Sequence, residues 1–199
     1  MRENRPLDPA PEPLVPAQDL VNTWFGRLAG DAEEGLATPV DLARWCRAHG
    51  VDVADDGVTD ADLDLALVVR EGVRAALAPH NDSVQPQDAQ ALARLRDVAG
   101  ELTLAVSLAA AQPALVPVGS GVRAMLARVL AGPVVAGDQT WRRLKVCRDC
   151  RCRTAFYDYS RNGSGVWCSM AACGAANKQK AFVERRRDRT IAARAARGA

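Results

Sequence analysis

The sequence has no apolar run approaching the length of a membrane span, although 48% of its 199 residues are hydrophobic. A helical membrane protein is thereby excluded, and enough apolar material remains for a genuine core. The first residues, Met1-Arg-Glu-Asn-Arg-Pro6, lead into acidic and proline-rich sequence where a secretion signal would need an apolar stretch. A soluble, cytoplasmic protein with reduced thiols is expected. Histidine is scarce, at two residues. His49 lies on an apolar helical stripe near a helix end, which fits a packed or capping side chain better than a ligand or base. Residues 1–140 contain no phosphate loop, no glycine-rich dinucleotide turn and no nucleophile with a partnering base. No residue is therefore a candidate for catalysis, and the protein is not expected to be an enzyme.

Acidic side chains are also scarce in one place. Residues 141–199 carry 4 Asp+Glu against 15 Lys+Arg, whereas residues 1–140 carry 20 against 11. Balances of +11 and −9 thus lie behind a net charge of only +2. Such a split describes an acidic body joined to a basic, nucleic-acid-facing module.

The basic part holds five of the six cysteines. Cys147-Arg-Asp-Cys150 can present two sulfurs to one cation, and Cys168-Ser-Met-Ala-Ala-Cys173 can close a tetrahedron around it. Zinc prefers that geometry, and four thiolates leave no position for a substrate. The expected ligands are Cys147, Cys150, Cys168 and Cys173. Cys152 is the ambiguous member, because it could replace Cys150 and give a four-residue gap. The two-residue knuckle is commoner, which favours Cys150 and leaves Cys152 as a neighbouring thiol. Cys46 reads as a small buried hydrophobe in a separate helix.

In chain order, residues 1–17 contain five prolines and read as a flexible lead-in. Asp19 looks like the N-cap of a helix carrying Leu20, Trp24, Phe25 and Leu28, stopped by Gly30. Thr38-Pro39-Val-Asp41 starts a second helix, closed by Gly50, and Thr59 with Asp60 and Asp62 starts a third that runs to about Leu77. A shorter helix spans roughly 87–98. Alternation over Leu102–Leu108 and Ala114–Val118 predicts a half-buried hairpin. Another helix groups Val122, Met125, Leu126 and Val129, and Gly132-Pro133 with Gly137-Asp138 make a joint. Beyond it, Trp141–Val146 and Thr154–Asp158 are short strands of a metal-clamped hairpin, and a helix follows Cys173-Gly174. The expected fold is mainly α with a small β element: a helical domain over 18–138, then a treble-clef-like zinc finger over 139–199 made of a β-hairpin and a C-terminal helix.

The motifs Phe156-Tyr-Asp158-Tyr-Ser160, Trp167-Cys168-Ser169-Met170, Cys173-Gly174 and Lys178, together with Cys147/Cys150, resemble the CGNR zinc fingers of bacteria. Leu20-Val-Asn22-Thr23 and Thr38-Pro39-Val-Asp41-Leu42-Ala-Arg-Trp45 resemble the ABATE domain that precedes such fingers in stress-induced transcription regulators. Where that family has Asn-Arg after Cys-Gly, this chain has Ala175-Ala176. The zinc ligands are untouched by this departure, whereas any base or phosphate contact made by the missing pair is absent.

The resemblance implies a zinc-dependent DNA-binding transcriptional regulator. The expected nucleic-acid contacts are Arg151, Arg153 and Arg161 around the hairpin and Lys178, Lys180, Arg185, Arg186, Arg187 and Arg189 on the last helix. Double-stranded DNA is the expected partner, and the helical domain would sense a small-molecule effector or mediate assembly into a homodimer. An RNA-binding module, or an adaptor whose basic helix docks an acidic protein, are the alternative readings.

Overall fold

The computed structural model describes residues 7–25, 33–109 and 113–197. A turn closed by Leu14 N–H on the Pro11 carbonyl leads into α1 (Val15–Asn22), with Pro16 in the first helical turn, where its missing N–H is no loss. Ala10 and Leu14 are buried, and buried Gln18 ties the segment down by accepting from Ala10 N–H and donating to the Asp8 carbonyl. The expected flexible lead-in over 1–17 is therefore corrected for residues 7–17, while residues 1–6 lie outside the described residues. Proline reads as disorder in sequence, yet its fixed φ also lowers the entropy lost when an apolar surface orders the segment.

Asp19 is not an N-cap. It sits within α1, and its carboxylate meets His49 Nε2 at 3.1 Å. The helix stops at Asn22 rather than continuing through Leu28, and β1 (Trp24–Phe25) pairs antiparallel with β2 (Glu33–Glu34). Leu28 and Gly30 lie outside the described residues. The cause of the early stop is a polar demand further along the chain. Buried Arg70 reaches Thr23 Oγ1 and grips Glu34 with two bonds of 2.6 and 2.9 Å, while buried Arg74 donates to the Val21 carbonyl. These bonds hold the chain after α1 against the helix carrying both arginines.

That helix is α3 (Asp60–Leu77), and α2 (Pro39–Ala48) precedes it. Both begin as the sequence predicts, with reciprocal capping boxes at Thr38/Asp41 and Thr59/Asp62. His49 caps α2, its Nδ1 2.8 Å from the Trp45 carbonyl. Cys46 is fully buried. A short 3₁₀ turn, Ala78–Asn81, leads toward α4 (Asp88–Ala99), which packs along α3. The strands β3 (Leu104–Ser107) and β4 (Ala114–Pro117) pair antiparallel as predicted, with Leu104 opposite Pro117. One end of the hairpin reaches the core, with Leu102 buried and Leu104 packed against it, while the other stands off it: Val106 is 70% exposed and Leu108 75%.

Next, α5 (Gly121–Ala136) runs through Pro133, so Gly132-Pro133 is not the expected joint. Gly132 instead lets the helix approach the N-terminal segment, since a Cβ there would lie 2.9 Å from the Pro13 carbonyl oxygen. The break comes at Gly137, whose φ of 75° suits glycine. After α6 (Asp138–Trp141), β5 (Leu144–Val146) pairs antiparallel with β6 (Ala155–Tyr157), and α7 (Ala175–Arg197) ends the described chain.

The core does not end at the expected 138/139 boundary. Leu14, Leu20, Leu42, Val69, Leu77 and Met125 share one buried cluster with Leu144, Val146 and Ala155 of the last hairpin. Polar tethers follow the same path. Asn22 mimics a peptide group on the β6 edge, donating to the Ala155 carbonyl and accepting from its N–H. Asn81 Nδ2 donates to Val146 and Val166 carbonyls, each at 2.9 Å. No helix of the described residues is long and apolar enough to cross a membrane.

The α3–α4 contact turns on Gly72, where an added Cβ would lie 2.6 Å from Leu95 Cβ. Alanine would gain about 1 kcal/mol of helix propensity, but overpacking costs about 1–3 kcal/mol. Gly72→Ala is expected to destabilise the protein by up to about 2 kcal/mol, read as a lower midpoint in denaturant at unchanged slope.

Candidate metal centre

The metal ligands are brought together by a turn wound around Asp149. Cys147 leaves β5 with its N–H on the Thr154 carbonyl at 2.9 Å. Backbone N–H groups of Cys152 and Arg153 then donate to the Asp149 carbonyl, and Arg151 N–H donates to its carboxylate. Arg153 takes a left-handed conformation, φ 50°, as the chain leaves this turn for β6. The turn carries Cys152 inward beside Cys147 and leaves Cys150 exposed.

The sulfurs of Cys147, Cys152, Cys168 and Cys173 lie within 4.8 Å of one another. The expectation that Cys150 completes the set is thus corrected: Cys152 occupies that place, and both halves of the site have a four-residue gap. A two-residue knuckle needs its second cysteine to point back at the first, but here that part of the loop closes on Asp149 instead.

The donor set fits a zinc ion. A tetrahedron of Zn–S bonds of about 2.3 Å has an S···S edge of about 3.8 Å. The Cys152–Cys168 and Cys168–Cys173 separations are 3.5 and 3.6 Å, longer than a disulfide and close to that edge. Four sulfurs this close cannot all ionise without a cation. Hydrogen bonding from Cys147, then from Cys168 and Cys173, pulls the Cys152 thiol down, while hydrogen bonding with Cys147 and Cys152 pushes Cys168 up. A dication would hold all four as thiolates.

The rest of the finger serves this cluster. Buried Lys145 donates to Asp158 at 2.8 Å and to the carbonyls of Gly163 and Gly165. Asp158 also accepts from Ser160 and Gly165 N–H. Burial opposes its charge, but Lys145, Ser160 and Gly165 outweigh burial and lower its pKa to about 2. The Phe-x-Asp-x-Ser motif therefore shapes the loop that returns the chain to Trp167 and Cys168. Ser169 then caps a π turn, Met170–Gly174, that delivers Cys173. Gly174 is buried, and a Cβ there would lie 3.0 Å from Met170 sulfur and 3.2 Å from the Trp167 ring. The Trp-Cys-Ser-Met and Cys-Gly motifs are thus two halves of one packing contact.

Residues 143–186 match the family model of the CGNR zinc finger. Residues 14–145 match that of ABATE, described as a putative stress-induced transcription regulator. The chain belongs to the ABATE family. No curated protein matches the sequence. The two matched segments overlap at 143–145, at the start of β5, the strand that both leads into the cysteine knuckle and lies in the shared core.

In this ABATE-family chain the basic candidates separate into three groups. Arg153 is corrected outright: it is 3% exposed and gives both terminal nitrogens to Asp88, at 2.7 and 3.0 Å. No phosphate can reach it, and it instead pins the knuckle to α4. Arg151 is exposed, but its guanidinium is held by Asp149. Arg161 and the α7 residues Lys178, Lys180, Arg185, Arg186, Arg187 and Arg189 are exposed. Ala175-Ala176 opens α7, and the neighbouring Asn177 donates to Asp149 Oδ2 at 2.7 Å and to the Cys173 carbonyl, joining helix to knuckle.

Sequence reasoning missed Asp88, Asn81 and Asp149. Asp88 and Asn81 lie in no motif with a spacing rule and matter through partners far along the chain, while Asp149 lies inside the Cys147–Cys150 motif at a position that the spacing rule leaves open.

Two expectations follow. Protein purified without added zinc should hold about one zinc per chain, as should Cys150→Ser, whereas Cys152→Ser should lower the content, both read by elemental analysis. Asp88→Ala should cost about 3–5 kcal/mol by leaving the Arg153 guanidinium buried without its acceptor, while the joint replacement Asp88→Leu with Arg153→Met should recover most of that loss in thermal unfolding.

Proposed function

We propose that this protein is a zinc-dependent, DNA-binding transcription regulator that lays one face of α7 along a duplex. The arrangement of α7 carries the reading. At about 100° per residue, Lys178, Phe182, Arg185 and Arg189 fall on one face with Arg186 beside them. Phe182, Arg185, Arg186 and Arg189 line one shallow groove. None of these cations is ion-paired among the described residues, and all are exposed. Lys180, Arg187 and Ile191 share the opposite side.

Among the described residues, α7 packs on the finger chiefly through its first turns, at the π turn and Asn177. A helix of 23 residues here has little of the tertiary packing that usually stabilises helices in proteins. Phosphates along a groove would neutralise its repelling charges and hold its length. Four thiolates would leave the metal no open position, which supports a structural and non-catalytic centre.

Each arginine that touches phosphate adds about 0.9 to the slope of log affinity against log salt. Replacing Arg185, Arg186 and Arg189 by Ala should therefore flatten that slope on duplex DNA by about 2–3 units. Replacing Lys180 and Arg187 should flatten it by less than about 1 unit. Zinc content should be unchanged in both. Equal affinity and slope for all three proteins would remove α7 as the DNA surface. Tighter binding to structured RNA than to duplex DNA would favour the RNA-binding alternative.

A further inference from the structure

Residues 102–122 form the longest uncharged stretch of a chain in which 25% of residues are charged. That stretch contains β3 and β4. Glu101 and Arg123, which bracket it, pair with each other at 2.6 Å and neutralise its base. Leu104 packs on the core, but beyond it the hairpin is apolar and exposed on both faces, through Val106 and Leu108 on one and Val116 and Val118 on the other. Contiguous apolar surface of this kind marks a site of interaction.

The two edges of the sheet differ. Val118 N–H donates to the Thr103 carbonyl, and bonded pairs alternate with non-bonded ones along an antiparallel ladder. The pairs Ala105–Val116 and Ser107–Ala114 are therefore the bonded ones. The N–H and C=O groups of Leu104 and Val106 point away from β4, and the backbone groups of Leu115 and Pro117 point away from β3. On its outer side β4 is closed, because Pro117 has no N–H to offer and the strand packs on α5. The outer side of β3 is open. No group among the described residues meets its outward N–H and C=O groups, and it carries neither the proline nor the charge that usually guards an edge.

We propose that β3 pairs with β3 of a second copy of this chain, joining two hairpins into one four-stranded antiparallel sheet across a two-fold axis at Ala105. Leu104 of each protomer then faces Val106 of the other, and the two exchange N–H and C=O bonds. Ala105, the smallest side chain of the strand, meets its own copy where non-bonded Cα atoms approach to about 4.5 Å. A two-fold contact brings each side chain near its own copy, so it needs a surface free of like charge. The balances of −9 over residues 1–140 and +11 over 141–199 oppose such a meeting elsewhere, and the uncharged hairpin does not. The same neutrality gives an acidic or basic partner nothing to recognise. Two α7 helices related by this axis would suit a two-fold symmetric duplex site. The pairing itself does not depend on DNA binding, and its test uses no DNA.

An interface made by one hairpin is small, so a dissociation constant on the order of 1–100 µM is expected. Sedimentation equilibrium of zinc-loaded full-length protein, from about 1 to 300 µM, should show reversible exchange between monomer and dimer. Val106→Pro removes a donor from the open edge alone, because that N–H faces away from β4, and should weaken dimerisation by about tenfold or more. Val106→Lys, which sets like charges beside the axis, should weaken it similarly and replaces the proline variant if that one loses its zinc or its cooperative melt. Val134→Lys, at an exposed valine of α5 outside the hairpin, should leave the constant unchanged. A monomer throughout the range would overturn the proposal and leave the edge to an extended segment of another protein. Undiminished dimerisation of a folded, zinc-replete Val106 variant would overturn it too. Assemblies that keep growing beyond the dimer would overturn the closed two-fold pairing.

Discussion

Four sulfur atoms must be held within a tetrahedron's edge of one another, and the finger cannot do this with a core of its own. Its hairpin has three residues in each strand, and the inward side chains, Leu144, Val146 and Ala155, complete the hydrophobic core of the helical body. Asn22 and Asn81 fasten the strand edges from outside the finger, and Asp88 fastens the knuckle through Arg153. The metal site therefore rests on two supports, the cation that relieves thiolate repulsion and the helical body that fixes the approach of β5 and β6.

The same docking divides the basic residues by task. A balance of +11 over residues 141–199 reads as one electrostatic surface, yet part of it is consumed inside the structure. Arg143 binds the carbonyls of Asp158 and Ser160, Lys145 gathers the return loop, and Arg153 crosses to α4. The outward charge is concentrated on α7. This matters for recognition, since a buried and paired arginine contributes rigidity, whereas an exposed and unpaired one is available to a phosphate.

The family match over 14–145 and the finger match over 143–186 meet in β5. A strand shared by both segments couples them mechanically, because a shift that moves β5 against α1 or α3 also moves Cys147. A cleft beside Asp88 and Arg153 lies at this seam.

Much of this was legible in the residues themselves. The capping boxes at Thr38 and Thr59, the burial of Cys46, the two outer hairpins, the cysteine-rich finger and its final helix all follow from local rules, in which spacing and periodicity act within a few residues. Tertiary structure decided what those rules cannot reach. The Cys147–Cys150 spacing satisfies the knuckle rule as well as Cys147–Cys152 satisfies its alternative. The choice is made by Asp149, whose carbonyl and carboxylate wind the loop so that Cys152 turns inward. Arg153 looks like its exposed neighbour Arg151 until Asp88, 65 residues earlier, is brought against it. The proline-rich start becomes ordered because α5 and Tyr159 supply a surface for it. In each case the deciding partner is distant in sequence, and only the packed chain places the two side by side.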